Sequence, residues 1–208
     1  MRVRLIHDRV EELDLEELRR RLGAQPLAAV YGDEGTERDA EGLRPASVLM
    51  PIVLRSGEWT MLFTRRTEHL RSHAGQISFP GGRAEPGDTG PEATALRESQ
   101  EELGLAPAKV ELVGRLAEYC TRTGYRVTPV IGVLRPPLEL RPDAEEVEEA
   151  FEVPLEFLLD ARNHQRHSRL FQGELRSFFA IPYGGYYIWG ATAGMLVNLH
   201  RQLAHARS

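Results

Sequence analysis

Apolar residues along the chain follow two spacings, and each spacing predicts one type of element. Runs with a period of two, or short continuous apolar runs bounded by Gly, Pro or polar residues, predict strands. These runs lie at residues 47–54, 59–64, 76–79, 110–119, 126–134, 147–153, 169–171, 176–181 and 186–188. Helical spacing predicts helices at residues 14–22, 88–103, 154–159 and 191–205. Because strands and helices interleave without a repeated β-α-β unit, the pattern predicts an α/β fold with a mixed sheet between helices.

The segment before residue 46 differs from the rest of the chain. Residues 31–44 are rich in glycine and acidic residues, a composition that predicts a loop. A chain of 208 residues is long enough for one well-cored domain and too short for two to be expected. We therefore expect an N-terminal extension of residues 1–45, made of a helix and a loop, followed by one main domain of residues 46–208.

The helix predicted at residues 88–103 carries the chemistry. Glu98, Glu101 and Glu102 have i, i+3 and i+4 spacing, which places three carboxylates on one face. Their repulsion would be relieved by a divalent cation, and hard oxygen ligands suit Mg²⁺ or Mn²⁺. Arg97 lies four residues before Glu101 and can pair with it. On spacing alone a solvated acidic face is the commoner explanation, but a glycine pair directly after a predicted strand, Gly81-Gly82, permits close approach of a phosphate or metal.

The same segment predicts how this helix is anchored. Thr89 and Glu92 match a capping box at its start, and Gly104 supplies its C-terminal stop. The face opposite the three glutamates is predicted to pack against the sheet through Ala93, Leu96 and Leu103.

Gly82 followed by Arg97-Glu98-x-x-Glu101-Glu102-x-Gly104-Leu105 resembles the Nudix box, Gly-x5-Glu-x7-Arg-Glu-U-x-Glu-Glu-x-Gly-U, where U is apolar. Two positions depart from it: Asp88 is the first acid, eight residues before Arg97 instead of seven, and Ser99 replaces an apolar residue. The resemblance implies a Nudix α/β/α sandwich and a metal-dependent pyrophosphohydrolase. It further implies metal ligands at Glu98, Glu102, Glu101 and the backbone of Gly82, with Arg97 in the catalytic set. Which glutamate is the base stays open.

The residues upstream of the glycine pair resemble the coenzyme A pyrophosphatase branch of Nudix enzymes. The matching stretches are Leu62-Phe63-Thr64-Arg65-Arg66-Thr67, with Thr67 where the branch usually has Ser, Phe79-Pro80-Gly81-Gly82, Thr123-Gly124-Tyr125 and Trp189-Gly190-x-Thr192-Ala193. The branch implies cleavage of coenzyme A or its thioesters to 3′,5′-ADP and 4′-phosphopantetheine or its acyl form. Two alternatives remain. The box is silent on the leaving group, so ADP-ribose or a dinucleotide could be the substrate. The chain could also be a non-catalytic nucleotide-binding module, which three intact glutamates argue against.

Further site residues are predicted around the box. Arg65, Arg71, His73 and Gly81 are candidate substrate-binding residues, because arginine binds phosphate bidentately and could meet the 3′-phosphate or diphosphate of coenzyme A. The alternative for the arginines is that they are loop residues that only add solubility. The alternative for His73 is that it is a turn residue. Nudix enzymes often take an extra carboxylate from a late loop or strand, and Glu146 is our candidate, although acidic runs are usually solvated.

Two predictions concern residues beyond the box. Tyr186, Tyr187 and Trp189 are predicted to be core aromatics, and His164 and His167 are predicted surface residues, because neither histidine has a partner at metal-ligand spacing.

The composition of the chain limits the classes of binding partner to be expected. A net charge of -5 without a basic stripe argues against nucleic acid. No apolar run approaches the roughly 18 residues that span a membrane. The single cysteine, Cys120, cannot form an internal disulfide, and a lone thiol fits a reducing compartment. We expect a cytoplasmic protein that binds a small-molecule nucleotide and Mg²⁺ or Mn²⁺. The sequence does not determine the oligomeric state, and a homodimer is compatible with it.

Overall fold

The computed structural model describes residues 2–6, 10–29, 42–69, 74–171 and 173–205. Its helices are α1 (Leu15–Gly23), α2 (Pro91–Leu103), α3 (Leu155–Leu158) and α4 (Gly190–His205). Its strands are β1 (Val3–Ile6), β2 (Val10–Leu13), β3 (Arg44–Leu54), β4 (Trp59–Arg66), β5 (Ile77–Ser78), β6 (Gly81–Arg83), β7 (Val110–Arg115), β8 (Tyr119–Cys120), β9 (Tyr125–Leu134), β10 (Val147–Pro154), β11 (Gln165–Phe171), β12 (Glu174–Tyr183) and β13 (Tyr186–Trp189). Within these ranges no helix is long and apolar enough to cross a membrane.

The central sheet is mixed, as predicted. Its strand order is β10-β4-β3-β9-β7, and the short strands β5, β6 and β8 pair with β4, β3 and β9. β3 and β9 run parallel over ten residue pairs, whereas the other pairings in this sheet are antiparallel. A second sheet has the order β11-β12-β13, and β1 and β2 form a hairpin.

Helices cover both faces of the central sheet. In β3 the side chains alternate, so that Met50 and Ile52 join the core that contains α4, whereas Leu49 and Val53 join the core beneath α2. The buried residues of α2 that complete this second core are Ala95 and Leu103. The two cores, one on each face of the sheet, confirm the predicted α/β fold with flanking helices.

The N-terminal helix packs on the main core. The Asp14 carboxylate caps α1 by accepting the backbone N–H of Glu17 at 2.9 Å. Leu18 and Leu22 are buried in the same core as α4, and Arg21 donates to the backbone carbonyl of Leu203. The strands β1 and β2 were not predicted from the sequence. The described part of the 1–45 extension is therefore continuous with the main core.

The start and the buried face of α2 differ from the prediction. The helix begins at Pro91 after Gly90, and no side chain caps it, so the capping box of Thr89 and Glu92 is wrong. Its buried residues are Thr94, Ala95, Ser99, Glu102 and Leu103. Leu96 and Ala93 are only half-buried. The buried stripe is thus rotated by about one residue from the predicted one, which brings Glu102 to the inner side of the helix.

Three further predictions about side chains need correction. Tyr187 and Trp189 are 46% and 39% exposed and do not belong to the core. Tyr186 is half-buried and stacks on Phe151, with ring centroids 3.6 Å apart. The predicted surface residue His164 is half-buried, with Nε2 2.8 Å from the carbonyl oxygen of Leu158. His167 is exposed, as predicted.

Candidate active site

The glycine pair lies where β6 passes directly beside α2. A side chain at residue 81 would overlap the backbone carbonyl of Ser47 on β3. A Cβ at residue 82 would lie 2.5 Å from the carboxylate carbon of Glu98. The backbone N–H of Gly81 donates to the Glu102 carboxylate. Glycine is therefore required at residue 81 because a Cβ would collide with the backbone of β3, whereas glycine at residue 82 leaves the Glu98 carboxylate in its place.

Arg97 holds the acidic residues around it in place. Its Nε and Nη2 donate to the two oxygens of Asp88 at 3.1 Å each, and Nη2 also donates to the carbonyl of Arg83 at 2.8 Å. Its Nη1 lies 3.0 Å from both Glu98 Oε1 and Glu101 Oε2. Hydrogen bonds from Arg97 lower the pKa of Asp88 to about 2. The longer spacing between Asp88 and Arg97 is thus absorbed by the loop, which still brings this acid to the arginine.

Glu98 and Glu102 lie inside the site, whereas Glu101 does not. Glu102 is 5% exposed, and burial raises its pKa to about 8, with the charges of Glu146 and Glu98 adding to the effect and Arg66 opposing it. Burial also raises the pKa of Glu98. The side chain of Glu101 is 59% exposed. Strongly raised carboxylate pKa values are typical of functional sites. The three glutamates therefore share one helix but not one environment.

Arg66 and Glu146 complete the surroundings of Glu102. Arg66 Nη1 lies 3.9 Å from Glu102 Oε1, and Nη2 lies 3.7 Å from Glu146 Oε2. Thr67 fastens the loop that carries Glu146, because its N–H donates to the Glu146 carbonyl at 3.1 Å and its hydroxyl donates to the Glu145 carbonyl at 3.0 Å. We refer to Glu98, Glu102 and Glu146 as the carboxylate cluster. The candidate extra carboxylate is thus close to the box glutamates in space.

The candidate substrate-binding residue Arg65 and its neighbour Arg66 face different carboxylates. Arg65 lies 3.2 Å from both Glu148 and Glu149. Its neighbour Arg66 points to the cluster instead. Strand alternation was a signal for this, since Leu62 on the same face of β4 belongs to the core beneath α2. Arg71 and His73 lie outside the described residues.

The donor chemistry of the cluster fits a divalent cation of the Mg²⁺ or Mn²⁺ type. All donors are hard carboxylate oxygens. Burial and repulsion from neighbouring carboxylates raise the pKa of Glu98 and of Glu102, and Gly82 leaves room for the Glu98 carboxylate against the backbone. Within the described ranges, no three His, Cys, Asp or Glu side chains are already grouped closely enough to hold an ion.

A pocket of about 650 Å³ opens beside the glycine pair, and Gly81, Gly82 and Arg66 form its boundary with the carboxylate cluster. Its lining includes apolar side chains such as Val48 and Met195. Besides Arg66, it also includes four further arginines: Arg83, Arg122, Arg169 and Arg176. No Asp or Glu is among the described residues that line the pocket. The pocket is therefore suited to an anion with an apolar part.

Gly82→Ala should lower turnover by about 100-fold with little loss of stability. The new methyl group would displace the Glu98 carboxylate, and a misplacement of about 1 Å at a reacting centre can cost about that much. Steady-state kinetics and thermal unfolding would measure the two effects. Gly87→Ala is the matched control, because Gly87 lies in the following loop with no heavy atom within 4 Å of an added Cβ. Equal activity of both variants would show that the approach of Gly82 to Glu98 has no functional role.

Comparisons with known proteins show which family the chain belongs to. The NUDIX domain model matches residues 43–173. The chain is 39% identical over 166 residues to the uncharacterized Nudix hydrolase NudL of Escherichia coli K12, covering 80% of this chain and 86% of that one, and the same figures hold for NudL of Shigella boydii. Among solved structures, the Nudix hydrolase RenU of M. smegmatis superposes with a TM-score of 0.47 at 24% identity, covering 62% of this chain and 80% of that one. The chain belongs to the Nudix hydrolase family.

Proposed function

We propose that this Nudix hydrolase cleaves the diphosphate of coenzyme A or its thioesters, releasing 3′,5′-ADP and 4′-phosphopantetheine or its acyl form. One observation carries the proposal: a pocket whose lining includes both arginines and apolar residues shares Arg66, Gly81 and Gly82 with the surroundings of the carboxylate cluster. Coenzyme A needs both, because it joins a phosphorylated nucleotide to a pantetheine arm that is largely uncharged. The resemblance of residues 62–82 to the coenzyme A branch supports the same substrate.

Glu98 and Glu102 are the proposed metal ligands, with the backbone of Gly82 beside them and Glu146 as a further carboxylate. When bound, Mg²⁺ or Mn²⁺ would neutralise charge on the phosphate oxygens and lower the pKa of a water ligand. Arg97 fixes one oxygen of Glu98 and one of Glu101 at 3.0 Å. The base that accepts the proton of the attacking water is one of the three box glutamates, Glu98, Glu101 and Glu102.

The rest of the pocket would bind and orient the substrate. Arg66 lies between the carboxylate cluster and the pocket, where it can meet a diphosphate oxygen. The N-terminus of α4 also lines the pocket and has no acidic residue in its first turn, so its dipole favours an anion there. Thr192 secures this helix end by donating to the carbonyl of Ile77 at 3.1 Å. These groups hold the diphosphate without contributing a competing negative charge.

A substrate panel with Mn²⁺ or Mg²⁺ tests the proposal, with products identified by mass. Coenzyme A, acetyl-coenzyme A, ADP-ribose and a diadenosine polyphosphate would be compared by kcat/KM. We expect coenzyme A or its thioester to be cleaved most efficiently, with 3′,5′-ADP as one product. Preferred cleavage of ADP-ribose or the dinucleotide would overturn the coenzyme A assignment and leave a Nudix pyrophosphohydrolase of another nucleotide. Binding of nucleotides without turnover of any would favour the non-catalytic module.

A further inference from the structure

Two arginines of the pocket lie directly opposite each other in a hairpin. In the antiparallel pairing of β11 with β12, Arg169 is the cross-strand partner of Arg176, and both side chains line the pocket. Like charges in such a pair are destabilising. Glu174 lies 3.8 Å from Arg176 and 3.5 Å from Arg122, but it is not part of the pocket lining. The pairing concentrates positive charge on the pocket side. An anion bound there would offset the repulsion between the two guanidinium groups.

Aromatic rings continue the same face of this sheet. The next cross-strand pair on the same face, His167 and Phe178, has ring centroids 5.7 Å apart. Phe178 meets Trp189 of β13 edge-on at 5.5 Å, and both line the pocket. Trp189 is 39% exposed although it is large and apolar. An exposed indole next to a second ring offers a surface on which a planar base can stack.

Most of the sheet formed by β11, β12 and β13 lies outside the residues that match the family model. The match ends at residue 173, before Arg176, Phe178 and Trp189. The carboxylate cluster, in contrast, lies wholly within the matched residues. The hairpin and β13 therefore add a wall to the pocket that is separate from the residues proposed to act on the diphosphate.

We propose that Arg169 and Arg176 form a second anion subsite, which binds a phosphomonoester of the substrate while its diphosphate lies at the carboxylate cluster. Phe178 and Trp189 would stack on the base of the ribose that carries this phosphate. Two guanidinium groups on neighbouring strands can bind one phosphate with several charge-assisted hydrogen bonds. The inference deepens the proposed function and rests on it, since it makes these residues specificity determinants for nucleotides that carry an extra terminal phosphate.

The test is the binding of two nucleotides without hydrolysis. Isothermal titration calorimetry would compare 3′,5′-ADP with 5′-AMP. The two nucleotides differ only in the 3′-phosphate, which 5′-AMP lacks. The wild type should bind 3′,5′-ADP about 10- to 100-fold more tightly, as expected for a charge-assisted contact. Arg169→Ala and Arg169→Gln should lose most of this preference and keep the affinity for 5′-AMP. Arg166→Ala is the matched control, because Arg166 lies on the same strand, is exposed and does not line the pocket.

Kinetics separate this inference from the proposed function. In the wild type, coenzyme A should exceed its 3′-dephospho form in kcat/KM by a similar factor, and Arg169→Ala should reduce that ratio while still cleaving both. Efficient cleavage of coenzyme A with equal affinity for 3′,5′-ADP and 5′-AMP would overturn the second subsite and leave the proposed function intact. A preference for 3′,5′-ADP that Arg169→Ala retains would also overturn it. A preference that is lost in Arg169→Ala without any cleavage of coenzyme A would support the subsite and contradict the proposed function.

Discussion

Glu102→Gln and Glu98→Gln should each lower kcat/KM by roughly 1,000-fold if both are metal ligands as proposed, since loss of such a carboxylate removes several kcal/mol of transition-state stabilisation. The metal-free Glu102→Gln protein should be at least as stable as the wild type. Its parent carboxyl group is buried beside Glu98 and Glu146, and burial disfavours its charged form. The neutral amide of Gln has the same shape as the carboxyl group, but it carries no charge that burial or repulsion from Glu98 and Glu146 would disfavour. Lower activity at equal or higher stability would separate a functional role from a structural one.

Glu92→Gln is the matched control for these variants. Glu92 lies in the first turn of the same helix, its side chain is 43% exposed, and its ion pair with Arg115 spans 3.8 Å. Exposed pairs of this kind contribute little, so we expect both activity and stability to remain near those of the wild type. Activity of Glu98→Gln or Glu102→Gln within a few-fold of the wild type at saturating Mn²⁺ would remove that residue from the proposed metal site.

Leu103→Ala should destabilise the protein by about 2 to 5 kcal/mol, the range for a truncated core leucine. Leu103 is fully buried between α2 and the sheet, together with Leu49 and Leu62. Leu96→Ala should have a clearly smaller effect, because Leu96 is only half-buried and lies off that stripe. Urea unfolding of the two variants measures the difference. Equal losses would show that the buried stripe of α2 is assigned wrongly.

Local spacing was enough to predict the helix that carries the box glutamates. The i, i+3 and i+4 positions of Glu98, Glu101 and Glu102 depend only on helix geometry. The burial of the three glutamates differs because it depends on how α2 is rotated about its axis against the sheet. The predicted buried face of Ala93, Leu96 and Leu103 differs from the observed one by a rotation of about one residue. Ser99 explains part of the error. It occupies the buried stripe although it is polar, and its hydroxyl is satisfied by donating to the Ala95 carbonyl at 2.7 Å.

The arginines near the cluster show a second limit of sequence reasoning. Arg65 and Arg66 are adjacent, so composition could not distinguish them, but the alternation of β4 could have. The register that places Arg169 opposite Arg176 depends on which turn closes the hairpin between β11 and β12. Their position in the pocket depends further on the packing of β12 against α4, which follows β13 in the chain. No local pattern carries that information, and the exposed Trp189 was misassigned to the core for the same reason.

Binding of Mn²⁺ tests the central claim, that the carboxylate cluster holds the divalent cation of this hydrolase, most directly. The electron paramagnetic resonance signal of free Mn²⁺ would be followed as wild type, Glu98→Gln, Glu102→Gln and Glu92→Gln protein are added. We expect the wild type and Glu92→Gln to remove the signal equally, and the other two variants to bind roughly 10- to 100-fold more weakly, as for disrupted metal sites. Equal Mn²⁺ affinity in all four proteins would contradict the account.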